Sequence, residues 1–562
     1  MVKKIVIDNE EKFDDFINRI NNLFAFDTET TGLNIQELSI VGISFYDGGD
    51  TSWYLPLRHK RGDQLSIKQI FPKLNKLFMD AQLVVGHNLT FDMQVIKKIN
   101  IYPEKIEWFD TMIAAHLINE NGNKGLKKLS KQLLNYEMKE FKDITKNFNI
   151  SNTDIKIASD YACDDAIQTW KLFQLFKVKL KKMKLIKLFR EIEMPFLRSI
   201  IEMEWNGILI NAPKIKELQQ KANKQLMHYR GEIIKLLPKR YMQKDLFGNM
   251  ITTINLDSPM QLKKLLFEDL KLESRFKNKK TESDSTGVKA LLYLENKHPI
   301  IPLIMKYREY QKLLSGFIQK LPEHISKDGR VHCRFNDTGT VTGRLSSSNP
   351  NLQQLPSNDE ISIRSCFIAK PGHKLIVLDY SQEELRITAF LAQDKDMIDA
   401  FNKGLDFHLF TANKVFKLNL SDKELTMGNT EYKLAKEKYY SERHKAKTMV
   451  FSILYGITEH SLSERLKVSI GEAKKIIDDY FTGFPKIKSM LNRAKGNVKQ
   501  YGFVKNFYGR YRHFEKSKGY YSPGVYRQAG NYLIQGTCAD LLRVAINNIF
   551  RFLKKNNNEG RL

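Results

Sequence analysis

The stretch "LFAFDTETTGL", Leu23 to Leu33, constrains this chain more than any other. An apolar and aromatic run of strand character carries two acids, Asp27 and Glu29, two residues apart. Side chains at that spacing share one face of a strand. Another strand-like run, "LSIVGISFYD", follows, and "AQLVVGHNLTFDMQVIKKI" passes from strand to helix and supplies Asp92. In "YACDDAIQTW", Tyr161 and Asp165 stand four apart and so lie on one helix face. Asp164 is adjacent, but a helix turns it about 100° away from Asp165. Residues 1 to about 190 therefore read as alternating strands and helices, whose separate segments offer four carboxylates and one phenol.

Those residue types suit one chemistry. Hard divalent ions prefer oxygen ligands, and a pair of them can activate a water and stabilise the leaving oxygen of a phosphodiester. A tyrosine hydroxyl nearby can orient that water. One D-x-E is weak on its own; all the pieces in order, each beside a strand or helix signal, carry the reading.

At 562 residues the chain exceeds what one core supports, so three or four domains are expected. No apolar run reaches the roughly 18 residues needed to span a bilayer, and no membrane partner is expected. The start lacks the apolar core of a signal peptide. Cys163, Cys333, Cys366 and Cys538 are scattered without CxxC spacing, which argues against a zinc site and for reduced thiols. The net charge of +27 fits a polyanion partner, although a Lys- and Asn-rich codon bias would contribute to it.

Further along, residues from about 195 to 325 are mostly helical, 331 to 384 return to strand and loop, and 385 to about 526 are strongly helical. "SERHKAKTMVFSILYGIT" carries Arg443, Lys447, Phe451 and Tyr455, each four residues after the last. At about 100° per residue these form a slowly turning stripe, two cations followed by two aromatics. Such a stripe could meet a nucleotide lengthwise, cations on the triphosphate and aromatics against the base. "YRQAGNYLIQGTCADLL" sets Arg527, Asn531 and Gln535 on one face. In "LIVLDYSQEELR", Leu375 to Arg386, an apolar strand-like run ends at Asp379 and a helix-like stretch follows.

Together these motifs resemble family A (DNA polymerase I-like) DNA polymerases in the large-fragment arrangement, with a proofreading 3′–5′ exonuclease domain. The resemblance covers almost the whole chain. It implies a multidomain α/β and α+β fold: a ribonuclease H-like exonuclease domain, then a right-hand polymerase domain with an incomplete palm. The expected boundaries are 1–190 for the exonuclease, 191–330 for the thumb, 331–384 for the first part of the palm, 385–526 for the fingers and 527–562 for the rest of the palm. By the same resemblance Asp27, Glu29, Asp92 and Asp165 hold metal and Tyr161 positions the water. Asp379 and the carbonyl of Tyr380 hold the polymerase metal. Glu384 presses against the sugar 2′ position. Arg443 and Lys447 bind the incoming phosphates, with Lys447 as donor to the pyrophosphate leaving group. Phe451 packs on the nucleotide and Tyr455 sits near the templating base. Arg344, in "TVTGRLSSSNPNLQQLP", reaches the minor groove at the primer end, and Arg527, Asn531 and Gln535 also contact DNA. His444, Val450, Ser452 and Glu383 depart from the usual pattern.

The implied cofactor is Mg2+, two ions per active site, with Mn2+ as an alternative. The implied partners are primer-template DNA and dNTPs. A second catalytic aspartate is expected in a His-Asp-Glu motif after the last helix, yet the sequence reaches Leu562 without one. The Asp359–Glu360 pair lies upstream and is a poor substitute. The expectation is therefore the N-terminal piece of a split or interrupted polymerase that needs a C-terminal fragment for nucleotide addition. The competing reading is a stand-alone 3′–5′ DNA exonuclease that uses the rest as a clamp. A cytoplasmic setting, in a bacterial cell or a phage-infected host, is expected.

Overall fold

A computed structural model describes residues 2–145, 149–244, 250–277, 282–358, 360–556 and 560–562. Asp359 lies outside them. The chain divides into two compact units: residues 1–205, 335–346 and 378–562 form the first, and residues 206–334 and 347–377 the second.

The first unit is built around a six-stranded sheet. Its strands are β1 (Lys3–Val6), β2 (Leu23–Thr30), β3 (Ile40–Tyr46), β4 (Thr51–Pro56), β5 (Leu83–Gly86) and β6 (Glu107–Asp110), in the order β1-β4-β3-β2-β5-β6. β2, β3 and β4 form an antiparallel meander, whereas β5 and β6 add in parallel. Parallel neighbours need crossovers, and helices supply them. α1 (Leu89–Lys97) makes the crossover from β5 to β6, and α2 (Thr111–Ile118), α3 (Leu126–Leu134) and the long α4 (Ile155–Lys182) follow the last strand of the sheet.

The alternation in β2 sorts its side chains. Phe24 and Phe26 face a core with Phe45 and Phe78, in edge-on ring contacts centred 5.2–5.8 Å apart. Ala25, Asp27 and Glu29 face the other way, where α4 packs on the sheet. Ala158, Ala162 and Ala166, one turn apart on α4, are fully buried and let the helix lie close. Gly42, opposite Glu29 on β3, leaves room for Tyr54: a Cβ there would collide with the Tyr54 hydroxyl.

The second unit starts at Asn206. Met194, Leu197 and Ile201 recur at helical spacing and join the core of the N-terminal sheet, which holds residues 191–205 with that sheet. The expected 331–384 segment is likewise divided between the units. Within the second unit, α5 (Ala212–Lys235) packs on α6 (Ile300–Leu313), with Tyr229 stacked on Tyr310 at 5.6 Å.

The remainder of the first unit is helical, as the pattern predicts. It contains α7 (Glu383–Ala392), α8 (Phe407–Phe416), α9 (Tyr440–Leu454) and α10 (Pro485–Tyr501). A hairpin, β7 (Phe503–Lys505) with β8 (Tyr511–His513), interrupts this run and was not legible in the sequence. The closing segment is one helix, α11 (Pro523–Lys555).

A strand expectation fails at Leu375–Leu378. This run adopts no regular structure, and Ile376, Val377 and Leu378 are 81%, 88% and 76% exposed. Strand propensity is realised only against a neighbouring strand or an apolar layer, and the described residues place neither there.

A buried ion network joins the N-terminal domain to the C-terminal helices. Arg510 pairs with Glu193 and with Asp540, the latter at 2.5 Å. Arg543 reaches Glu193 at 2.6 Å and donates to the carbonyls of Asp337 and Gly343. Asn506 adds a bond to Asp540 at 2.6 Å. Both arginines and both carboxylates are almost wholly buried, which such charges tolerate only when paired.

Candidate active sites

The structure gathers the acids of the N-terminal domain. Asp27, Glu29 and Asp165 each present an oxygen, and the three atoms lie within 4.8 Å of one another. β2 supplies the first two and α4 the third. Oε1 of Glu29 and Oδ1 of Asp165 are buried without a hydrogen-bond partner. Unpaired buried carboxylate oxygens are costly, and a divalent cation is the kind of group that satisfies them. The donor set therefore fits such an ion.

Asp92, on α1, stands beside this trio and outside its tightest grouping. Its Oδ1 accepts from the Thr28 amide at 3.0 Å and from the Thr28 hydroxyl at 2.6 Å, so it docks on β2 between Asp27 and Glu29. Tyr161 lies one turn before Asp165 and interacts with its carboxylate. Asp164 points elsewhere, to Lys4 at 2.7 Å and Tyr136 at 3.1 Å.

Electrostatics follow from burial and mutual repulsion. Burial first, then Asp92, Asp165 and Glu29, push Asp27 well above the usual carboxylate range. Burial, Asp165 and Asp92 do the same to Glu29. Burial raises Asp92 and Asp165 to about 7 each, against hydrogen bonds from Thr28 and the charge of Lys127 respectively. Lys127, on α3, is a residue that sequence reasoning missed. Its ammonium sits 5.0 Å from the Tyr161 ring centre and 3.3 Å from Glu140, and its charge favours ionisation of Glu29 and Asp165. No motif spacing marks it, because it reaches the site only by α3 packing on α4.

A second constellation forms in the C-terminal part of the same unit. Arg344 pairs with Glu384 at 2.7 Å, and the Tyr455 hydroxyl donates to the other Glu384 oxygen at 2.6 Å. Gln535 lies beside that hydroxyl. Gly456, at φ +71°, ends α9 where a Cβ would meet Arg527 at 2.5 Å, so only glycine admits the arginine. Arg344, Glu384, Tyr455, Gln535 and Arg527, remote in sequence, thus converge; Asn531 lies half-buried between the last two on α11.

The α9 stripe is present, with Tyr455 at the helix's C-cap. Lys447 is exposed, and Phe451 is half-buried with its ring 5.9 Å from His408. Arg443 is engaged by Asp406 at 2.8 Å, a partner the motif did not reveal. Asp406 also caps α8 through His408 and Leu409 and accepts from Tyr432. Burial would raise Asp406, but Arg443 and these N–H and O–H donors outweigh it and hold the carboxyl low. Asp379 and Tyr380 lie in the exposed stretch before α7. Glu360 accepts from Tyr310 in the second unit.

A carboxylate-lined sheet crossed by a helix, followed by this helical unit, defines an exonuclease-type domain joined to a polymerase-type one. Residues 5–181 match the family model described as 3′-5′ exonuclease, and residues 214–562 match the model of DNA polymerase family A. The chain belongs to DNA polymerase family A. It is 35% identical over 570 residues to DNA polymerase I of Borreliella burgdorferi, covering 100% of this chain and 59% of that protein. It is 32% identical to DNA polymerase I of Chloroflexus aurantiacus, covering 98% of this chain and 57% of the relative. The chain thus spans less than two thirds of the length of these relatives. A solved structure described as the POL domain of Pol1 from M. smegmatis, in complex with DNA primer-template and dNTP, shares the fold. Its TM-score is 0.82 at 23% identity, over 99% of this chain and 90% of that one. These comparisons give no support to a separate complementing fragment. Among the described residues no helix is long and apolar enough to cross a membrane.

Proposed function

We propose that the chain copies DNA from a primer-template with dNTPs and trims mispaired 3′ ends, in the bacterial cytoplasm. The observation that carries the trimming activity is the trio Asp27, Glu29 and Asp165, whose oxygens lie mutually close, with a buried and unpartnered oxygen on Glu29 and on Asp165. In this reading those residues and Asp92 hold two divalent ions, Mg2+ or Mn2+. The ions supply charge stabilisation for the attacking and leaving oxygens of the phosphodiester. Tyr161 orients the attacking water through its hydroxyl, and the charge of Lys127 favours the ionised forms of Glu29 and Asp165.

For nucleotide addition, Arg443 and Lys447 on α9 neutralise triphosphate charge and Phe451 packs on the nucleotide. Asp379 and the Tyr380 carbonyl offer oxygen ligands for metal. Glu384, held by Arg344 and Tyr455, gives a fixed carboxylate edge against the sugar. Arg527, Asn531 and Gln535 line the DNA side. Support for these substrates comes from the solved neighbour, described with DNA primer-template and dNTP bound.

A second reading, trimming without synthesis, has one observation in its favour. The exonuclease acids are assembled, whereas Asp379 lies in an exposed stretch without regular structure. One experiment separates the two. The purified chain is mixed with a labelled primer-template ending in a mismatch, Mg2+ or Mn2+, and dNTPs added or withheld. Trimming without dNTPs and extension with them is the expected result. Trimming alone supports the second reading. Trimming that persists in an Asp27→Ala, Glu29→Ala double variant overturns the site assignment.

A further inference from the structure

Asp110 ends β6 and is wholly buried, yet no proposed step uses it. Parallel pairing sets Gly86 directly opposite Asp110, so the two strand-to-helix turns leave the sheet side by side. One turn leads to α2 and the other, through His87 and Asn88, to α1. Asp110 serves both. Its Oδ1 accepts from the amides of Met112 at 2.7 Å and Ile113 at 3.1 Å, capping α2 in the ordinary way. The same carboxylate accepts from Asn88 N–H at 3.3 Å and from Leu89 N–H at 2.7 Å, at the start of α1.

The residue at the N-cap of α1 is Asn88, in the left-handed region at φ 69°, and its side chain makes no cap bond. α1 therefore takes its N-terminal acceptor from another strand. Free amides at a helix start need one, and an anion there is favoured by the helix dipole. A second stitch runs alongside. The Thr111 hydroxyl donates to the Gly86 carbonyl at 3.0 Å and lies 2.9 Å from His87 Nδ1. Burial lowers this imidazole to about 4, against a bond to the Lys124 backbone, so the ring is neutral.

The path from Asp110 to the acidic site is short. Leu89 opens α1, and Asp92 follows three residues later, docked on Thr28 between Asp27 and Glu29. We infer that Asp110 is a positioning residue for the exonuclease metal site, fixing the start of α1 so that Asp92 meets the other acids. This rests on the exonuclease reading above. A carboxylate is required because oxygens must face both turns. Serine still caps one helix well but is too short to serve the second. Asparagine presents oxygen to one turn and an N–H to the other.

The test compares the full chain with its Asp110→Ser, Asp110→Asn and Asp92→Ala variants. Binding of Mn2+ alone is measured by calorimetry, together with 3′ trimming and thermal unfolding. For Asp110→Ser and Asp110→Asn, Mn2+ affinity should fall about 10–100-fold, the range for partners that orient metal ligands. High Mn2+ should then restore trimming, which a folding defect would not allow. Unchanged Mn2+ affinity in folded Asp110 variants, with Asp92→Ala inactive and weak in Mn2+ binding, overturns this inference alone. Asp92→Ala that trims and binds Mn2+ normally overturns the exonuclease reading instead. Hydrogen exchange on the unaltered chain gives an arm that needs no variant to fold. Mn2+ should slow exchange at Leu89 and at Met112 and Ile113 together; slowing confined to Leu89 overturns the inference.

Discussion

Replacing Glu29 by glutamine is expected to stabilise the metal-free protein while weakening its response to metal. The reason is geometric. Glu29, Asp27 and Asp165 hold ligand oxygens within 4.8 Å, and two of those oxygens lack any partner. Two full charges at 4.8 Å repel by about 3.5 kcal/mol at an effective dielectric constant of ~20. Partial protonation reduces this, because burial and the neighbouring Asp165 and Asp92 hold Glu29 well above the usual carboxylate range. A relief of about 1–3 kcal/mol at pH 8.5 is therefore expected, since the new amide side chain would carry no charge and could donate to Asp165. For a domain of roughly 200 residues each kcal/mol moves Tm by about 2–4 °C. Metal acts the other way: at a hundredfold excess over Kd it stabilises the unaltered protein by about 2.7 kcal/mol, and Glu29→Gln removes one ligand charge. The pH dependence has a definite sign. Acids raised in the folded state bind more protons folded than unfolded. Metal-free stability thus falls as pH climbs from the ordinary carboxylate value of 3.8 through about 7, where Asp92 and Asp165 titrate, and the raised Asp27 and Glu29 add to the fall. Glu29→Gln should flatten that fall. Calorimetry in EDTA and in Mg2+, from pH 5 to 8.5, measures all of this. A Glu29→Gln protein less stable than the unaltered one in EDTA, or equally stabilised by Mg2+, would refute the reasoning.

Other consequences are as direct. Lys127→Met removes the cation that favours ionised Glu29 and Asp165, so the pH midpoint of trimming should move upward; a midpoint that stays put counts against Lys127. Asp406→Asn keeps the cap of α8 but loses the ion pair with Arg443, and should cost about 1.5–3 kcal/mol in urea unfolding. An unchanged midpoint would show that Arg443 gains nothing from Asp406. Arg510→Met strips partners from buried Asp540 and Glu193 and should cost about 3–5 kcal/mol, read as a lower Tm; a loss under about 1 kcal/mol would mean that Asn506 and Arg543 suffice.

Local pattern and tertiary packing divide the account of this chain. The two-residue period of a strand put Asp27 and Glu29 on one face, and the helical period joined Tyr161 to Asp165 and ran Arg443, Lys447, Phe451 and Tyr455 into one stripe. These are short-range consequences of backbone geometry, so the sequence alone determined them, along with the alternation of the first 190 residues and the helical character after α7. Side chains that matter through elements distant in sequence stayed hidden. Lys127 reaches the acids because α3 packs on α4. Asp406 meets Arg443, and Asp110 caps a helix that begins on another strand. Leu375–Leu378 shows the converse: an apolar run with every local mark of a strand stays irregular and exposed. A helix satisfies its own backbone, whereas a strand, an ion pair and a shared cap each need a partner that only the folded chain can bring.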